Sequence, residues 1–368
     1  ALAVDGVGEN PGFAPEKPKE GFDVIPMWVA DMNFQTAPSV VEAMRKRLDH
    51  PMFGYYPIRD EYFDKIIDWH VSRNQVEGLT KEAIGYENGV LGGVISTLTS
   101  FAAPGDAVFL HSPTYIGFTS SVENNGYKII HSPLKKDENG VFRMDYEDMD
   151  AKIKANNIHV AIFCNPHNPM GRVWEREELE KAMEVYRKND CIVISDEIWS
   201  DLILEGNKHI PLQSVNEDAK NRVVALYAPS KTFNLAGLSF SNIIIRDPVL
   251  RERFKARDKL NGMVNCLSYV AAKAAYEKGG AWHEALKQYL DENFKFVQTF
   301  LKENLPEAVM PISQATYLAW ADLSKCLPDV EDMADFFANE AGVLLEGGNA
   351  MFVGNAEGYV RLNLAMPR

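Results

Sequence analysis

Lys231 stands in Ser230-Lys231-Thr232-Phe233-Asn234-Leu235-Ala236-Gly237, a short segment that ends on glycine and directly follows the apolar run at residues 223–228. A lysine fixed in such a place and stripped of part of its water surrenders its proton more readily, so its neutral amine can attack a carbonyl. A Schiff-base lysine needs that setting; a solvated loop lysine is the plainer alternative. Cys191-Ile192-Val193-Ile194-Ser195-Asp196-Glu197 is a second apolar run, and it closes on carboxylates. Asp196 then falls at the carboxyl end of a strand, the edge where open α/β sheets bind ligands, or serves only as a helix N-cap. In Tyr359-Val360-Arg361-Leu362-Asn363-Leu364, Arg361 is a lone cation in an apolar strand. That costs free energy unless an anion meets it. Its planar fork suits a carboxylate, supplied by a ligand or by an acidic side chain of the chain itself.

Three weaker signals sit nearby. Asn88-Gly89-Val90-Leu91-Gly92-Gly93-Val94 precedes a helix-like stretch at 95–101. Glycines there let backbone N–H groups approach an anion, and a helix start adds partial positive charge. Asn168, in Asn165-Pro166-His167-Asn168-Pro169, has the form of a turn-making Asn-Pro. Tyr115, in Ser112-Pro113-Thr114-Tyr115, is either a core ring or a flat partner for a ligand.

The elements that must position these residues follow from apolar patterning. Runs at 106–111, 128–131, 159–164, 191–195, 222–228 and 242–245 are strand-like, several of them without polar alternation, as in strands covered on both faces. Residues 114–124 and 177–188 fit crossover helices, which predicts an α/β fold with a mostly parallel sheet. Residues 38–48 repeat Val40, Val41, Met44 and Leu48 at helical spacing behind Pro38. Residues 1–26, rich in Pro, Gly and charge, read as an extended arm crossing a surface. From about 248 the pattern turns helical, with a long amphipathic stretch at 283–305. Strand, helix and strand follow at 317–322, 332–339 and 359–364. This change of texture predicts a large domain at 48–275 and a smaller α+β unit at 276–368 that also takes residues 1–47.

Bulk properties narrow the function. The chain has 368 residues, 46% of them hydrophobic, and no apolar run nears the roughly 20 residues of a membrane helix. A formal charge of −14 argues against nucleic acid and anionic membranes as partners and favours a small molecule. Cys164, Cys191, Cys266 and Cys326 are widely spaced, with no metal or redox pairing, which predicts reduced structural thiols and a cytoplasmic protein. No stretch has the form of a signal peptide.

Taken in order, the Asn165–Arg172, Cys191–Glu197 and Ser230–Gly237 motifs resemble the aminotransferase class I/II family of fold-type I pyridoxal-phosphate enzymes. Trp28-Val29-Ala30-Asp31-Met32-Asn33-Phe34 is similar to the signature of its MalY/PatB-like cystathionine beta-lyase branch, and the likeness runs over essentially the whole chain. The resemblance implies that Lys231 carries pyridoxal 5'-phosphate as an imine, with Asp196 against the pyridine nitrogen and Asn168 on the phenolic oxygen. It implies Tyr115 on the ring face, Trp199 beside the cofactor, and Val90, Leu91 and Ser230 at the phosphate. Arg361, Trp28 and Asn168 are implied at the substrate. It further implies a homodimer in which Tyr55, in Phe53-Gly54-Tyr55, reaches the neighbouring subunit's phosphate and takes part in catalysis. Three positions depart from the family pattern: Ser239 where many relatives have arginine, Trp199 in place of tyrosine or histidine, and Asn33 at an acidic position. The implied activity is carbon-sulfur beta-lysis of L-cystathionine or a similar amino acid. Transamination is the nearest alternative, and a cofactor-binding regulatory protein is a third.

Overall fold

Seven strands form the central sheet of this computed structural model, which describes residues 2–9, 14–257 and 263–368. They are β1 (Ile84–Glu87), β2 (Ala107–Ser112), β3 (Lys128–Pro133), β4 (Val160–Cys164), β5 (Ile192–Asp196), β6 (Val223–Tyr227) and β7 (Ser241–Ile245), in spatial order β1-β7-β6-β5-β4-β2-β3. All pairings are parallel except those of β7, which runs antiparallel to both β1 and β6. Six strands therefore point one way. The register aligns Cys164 with Asp196 and Asp196 with Leu226, so the strand ends finish level.

Successive side chains on these strands enter opposite cores, as the two-residue period of a strand requires. Phe109, Phe163, Val193, Val223 and Ala225 pack with the helices Pro38–Leu48, Asp60–Asn74, Arg176–Lys188 and Cys266–Lys278. Leu110, Ile162, Ile194, Val224 and Leu226 pack with Gly89–Phe101, Ile116–Asn124 and Pro248–Arg257 on the other face. Burial on both faces explains why the runs lack polar alternation. A fully buried Phe163 alone contributes about 1.5–3 kcal/mol relative to exposure.

A smaller antiparallel sheet holds β8 (Leu318–Asp322), β9 (Glu346–Gly347) and β10 (Tyr359–Asn363) in the order β8-β10-β9. It packs through Leu318, Val360 and Leu364 against Leu286, Leu290 and Phe294 of the 25-residue helix Gly280–Asn304. Met32, Trp199 and Leu202 join this third core, so the small sheet is mortised to the loop after β5. The helix Pro38–Leu48 packs through Val40 and Met44 into the core that contains Phe163 and Val193.

The first residues differ from the extended arm that their composition suggested. Leu2–Asp5 is a helical turn, and Ala3, Val7 and Ala14 are buried around the Trp28 indole, which donates to the Ala3 carbonyl at 3.0 Å. Small apolar side chains between the prolines and charges supply that contact. Residues 1 and 10–13 of the arm lie outside the described residues.

Candidate active site

A cavity of about 370 Å³ opens at the carboxyl edge of the large sheet. Its wall is built where the parallel strands end. Asn88 to Leu91 follow β1, Tyr115 follows β2, and Cys164 ends β4 with Asn168 in the turn after it; Asp196 ends β5, and Ser230 with Lys231 follows β6. Because β7 runs the other way, the residue before it, Phe240, also arrives at this edge. Ala30, Phe118, Ile198, Trp199 and Ala236 complete the wall. Eight of the residues singled out in the sequence thus meet in one space: Lys231, Asp196, Asn168, Tyr115, Val90, Leu91, Ser230 and Trp199.

Lys231 lies in the one-turn helix Pro229–Thr232, and its amine donates to the Ala30 carbonyl at 2.6 Å. Burial lowers its pKa to about 8; Arg361 adds to that, while Asp31, Asp196 and Glu346 oppose it. The ammonium thus loses its proton far more readily than an exposed lysine does. Burial also raises the Asp196 pKa to about 7, helped by the Glu197 charge and resisted by the Ile198 N–H, which donates to Oδ1 at 3.0 Å, and by Lys231. Both shifts describe charges short of counterions. A cationic ring nitrogen placed on Asp196 would return that carboxyl toward its ionised form.

The glycine-rich segment belongs to a helix rather than to a loop. Gly89–Phe101 starts at Gly89, whose φ of +74° favours glycine, and this places Val90 and Leu91, which line the cavity, in the first turn, where N–H groups have no partner within the helix. An anion is favoured there by the same groups and by the helix dipole. Across the cavity, the Tyr115 ring lies over Gly117, where a Cβ would come within 2.3 Å of Cε1. Any side chain at 117 would push the ring off its seat. Trp199 is buried edge-on to Tyr317 at 4.9 Å, and its ring centre is 5.8 Å from the Lys231 amine.

The segment 28–34 forms the roof. Asn234, at a φ of +56°, accepts from the Met32 N–H at 3.3 Å and donates to the Met32 and Phe34 carbonyls at 3.0 and 2.9 Å. Asn363 donates to the Val29 carbonyl at 2.8 Å, and the Asn33 N–H donates to the Ala365 carbonyl at 2.9 Å. Lysine segment, roof and small sheet are therefore one hydrogen-bonded assembly. Neither Asn234 nor Ala30 was singled out in the sequence, although both lie inside its motifs.

Three of the sequence candidates stand elsewhere. Tyr55 is fully exposed and outside this cavity. The Trp28 indole packs among Val7, Ala14 and Leu344, and the Trp28 backbone carbonyl accepts from Arg361. Arg361 is buried behind Asn168 rather than in the cavity wall, and it is not the lone cation expected. Glu346 of the neighbouring strand pairs with its Nη2. The one visible hint was an acid inside the otherwise apolar Leu344-Leu345-Glu346-Gly347. Ser239 is exposed, and Asn33 likewise has its side chain outside the wall.

Below the site, Glu197 is fully buried. It accepts from Ser195 Oγ at 2.8 Å, the Leu212 N–H at 3.0 Å, His209 Nε2 at 2.8 Å and the Tyr227 hydroxyl at 2.6 Å. Four donors satisfy both oxygens of this buried carboxyl group. A larger cleft of about 580 Å³ runs between residues 200–209 and the helix Gly280–Asn304. Its charges largely satisfy each other, as in Lys287–Glu284 at 3.0 Å and Lys295–Glu205 at 2.7 Å, so it has the character of a solvated groove.

Comparison with known proteins agrees with this architecture. The family model described as aminotransferase class I and II matches residues 23–368. Cystathionine beta-lyase PatB of Bacillus subtilis (strain 168) is 38% identical over 93% of this chain and 88% of its own length. Protein MalY of Escherichia coli (strain K12) is 30% identical over 94% of this chain and 88% of its own. The crystal structure of the PLP-bound C-S lyase from Staphylococcus hominis superposes with a TM-score of 0.90 at 36% identity, covering 100% of this chain and 91% of that one.

Proposed function

The chain belongs to the aminotransferase class I and II family, and from that premise we propose that it is a pyridoxal-phosphate-dependent carbon-sulfur beta-lyase. Its substrate on this reading is L-cystathionine or a related sulfur amino acid, converted with water to a thiol, pyruvate and ammonia. The observation that carries the proposal is the meeting of Lys231 and Asp196 in one cavity at the carboxyl sheet edge, each with its charge disfavoured by burial.

The cavity residues fit the cofactor. The Val90 and Leu91 N–H groups and the Ser230 hydroxyl can hold its phosphate, Asp196 the ring nitrogen, Asn168 the phenolic oxygen and Tyr115 the ring face. When bound, the cofactor supplies an electron-poor ring that accepts the electron pair of the broken α C–H bond. The residues of the chain do the rest. Lys231, its pKa lowered by burial to about 8, takes up the α proton as general base. Arg361 lies behind Asn168, and on this reading it anchors the substrate carboxylate from there and so orients the breaking bond. Trp199, Phe240 and the roof exclude water from the proton's path.

On the same reading the enzyme is a cytoplasmic homodimer, with Tyr55 of each subunit completing its partner's phosphate site. The exposed Met52, Phe53 and Tyr55 and the free cysteines support this. Incubation of the pure holoenzyme with L-cystathionine and no keto acid tests the activity. Pyruvate and a free thiol are expected over many turnovers; one turnover that restarts only on adding a keto acid would assign transamination instead.

A further inference from the structure

Glu346 has no part in the chemistry above, yet it is ion-paired with the carboxylate anchor. The antiparallel register of β9 and β10 sets Glu346 directly opposite Arg361, and both side chains are buried. Arg361 Nη1 donates to Asn168 Oδ1 at 3.1 Å, Nη2 donates to the Trp28 carbonyl at 3.1 Å and also to Glu346 Oε2, and Nε is buried with no partner among the described residues. A guanidinium grips a carboxylate in bidentate fashion along one of two edges, Nη1 with Nη2 or Nε with Nη2. Nη2 belongs to both. Each edge open to a ligand is therefore already engaged at the shared nitrogen, and the unpartnered Nε marks where a second acceptor belongs.

Charge leads to the same place. A buried arginine without an anion is costly, so Glu346 keeps the empty site neutral. A second carboxylate on the same guanidinium would leave the buried group with an excess negative charge, and like charges there repel strongly. Among the described residues, the charged groups acting on Glu346 are Arg361 and, more weakly, Lys231; burial outweighs both and raises its pKa.

Resting on the reading of Arg361 as substrate anchor, we propose that Glu346 is a specificity-determining residue that occupies Arg361 in the empty enzyme and competes with the substrate's α-carboxylate for it. The anchor is internally capped, and ligand binding must uncap it.

The test is a titration of the pyridoxal-phosphate holoenzyme with L-alanine, which lacks a leaving group, and with ethylamine, which is the same molecule without its carboxylate. The change in visible cofactor absorption gives an apparent Kd for each. In Glu346→Gln, and in Glu346→Asn as a second uncharged variant, the L-alanine Kd should fall by about fivefold or more, within the usual range of coupled binding. The ethylamine Kd should stay put. An L-alanine Kd that is unchanged or higher overturns the competition. So does loss of bound cofactor in both variants, since the carboxylate would then be needed to build the site. A wild-type holoenzyme that ignores L-alanine altogether would remove the anchor reading itself, a distinct failure.

Discussion

The amine of Lys231 donates to the Ala30 carbonyl at 2.6 Å, and the Tyr317 hydroxyl donates to the same oxygen at 2.9 Å. One carbonyl thereby gathers residues some two hundred and three hundred positions apart. A carbonyl accepts from an ammonium or an amine alike, so the contact places the nitrogen without fixing its charge. This gives the Trp28–Phe34 motif a physical role: its backbone is the seat of the reactive amine, and Asn234 fastens that seat to the lysine segment.

The charge of that amine should be readable directly. In cofactor-free protein, acetylation of Lys231 followed by mass spectrometry should reach half its limiting rate near pH 8. Asp31→Asn should move the midpoint lower, because the Asp31 charge is the largest influence holding the proton on. The sign carries over to stability. The folded pKa lies below the unfolded one, so burying the ammonium costs stability in full below pH 8, and the cost fades as pH rises toward the ordinary lysine value. A midpoint at the value of an exposed lysine would contradict the desolvated site.

Asn234→Ala should loosen the roof. Three hydrogen bonds to Met32 and Phe34 are lost at about 1 kcal/mol each, and alanine adapts less well than asparagine to a φ of +56°. A loss of about 2–4 kcal/mol in denaturant unfolding is expected. Hydrogen exchange should speed up at residues 31–34 more than in the sheet. Equal protection of that segment in both proteins would show the staple to be idle.

How far the sequence shows this site depends on how local the signal is. Asp196, Tyr115 and Lys231 each close or follow a run such as Ile192–Asp196 or Val223–Tyr227, whose apolar character comes from burial on both faces. Strand ends of one direction must meet at one edge, so these residues converge without further information. β1 is harder to see, since Ile84-Gly85-Tyr86-Glu87 is a short edge strand with mixed exposure. The helix Asp60–Asn74 is also quiet, with charges spread through it and apolar contacts that exist only once Tyr62, Ile66 and Trp69 meet the sheet. The Arg361–Glu346 pair was hidden for another reason. It depends on the register of a two-residue strand, and a lone arginine in an apolar run has the same pattern whether its anion is a ligand or a neighbour.

Glu197→Gln tests the buried hub under Asp196. The Leu212 N–H can only donate, so the new amide must turn its NH₂ toward His209 and Tyr227, which then have to become acceptors. About 1–3 kcal/mol of stability should go with that rearrangement. The second consequence is electrostatic. Burial keeps the Asp196 pKa near 7 and the Glu197 charge adds to it, so the variant should show Asp196 ionising at lower pH. Carbon-13 NMR of the Asp196 carboxyl would register the shift; a titration that stays in place would uncouple the two acids.

The proposed dimer makes a sharper claim about Tyr55, whose side chain stands fully in solvent in the single chain. Tyr55→Ala should therefore change the stability of an isolated subunit by no more than about 0.5 kcal/mol, yet abolish most lyase activity by depriving the partner's site of its phosphate contact. Lys231→Ala should be inactive for a local reason. Refolding the two variants together gives hybrid dimers in about half of the molecules, and each hybrid has one site lacking both groups and one lacking neither. Roughly a quarter of wild-type activity should then return from two inactive parents. Full activity in Tyr55→Ala alone, or no recovery in hybrids verified by mass spectrometry, would sink the exchange of Tyr55 between subunits.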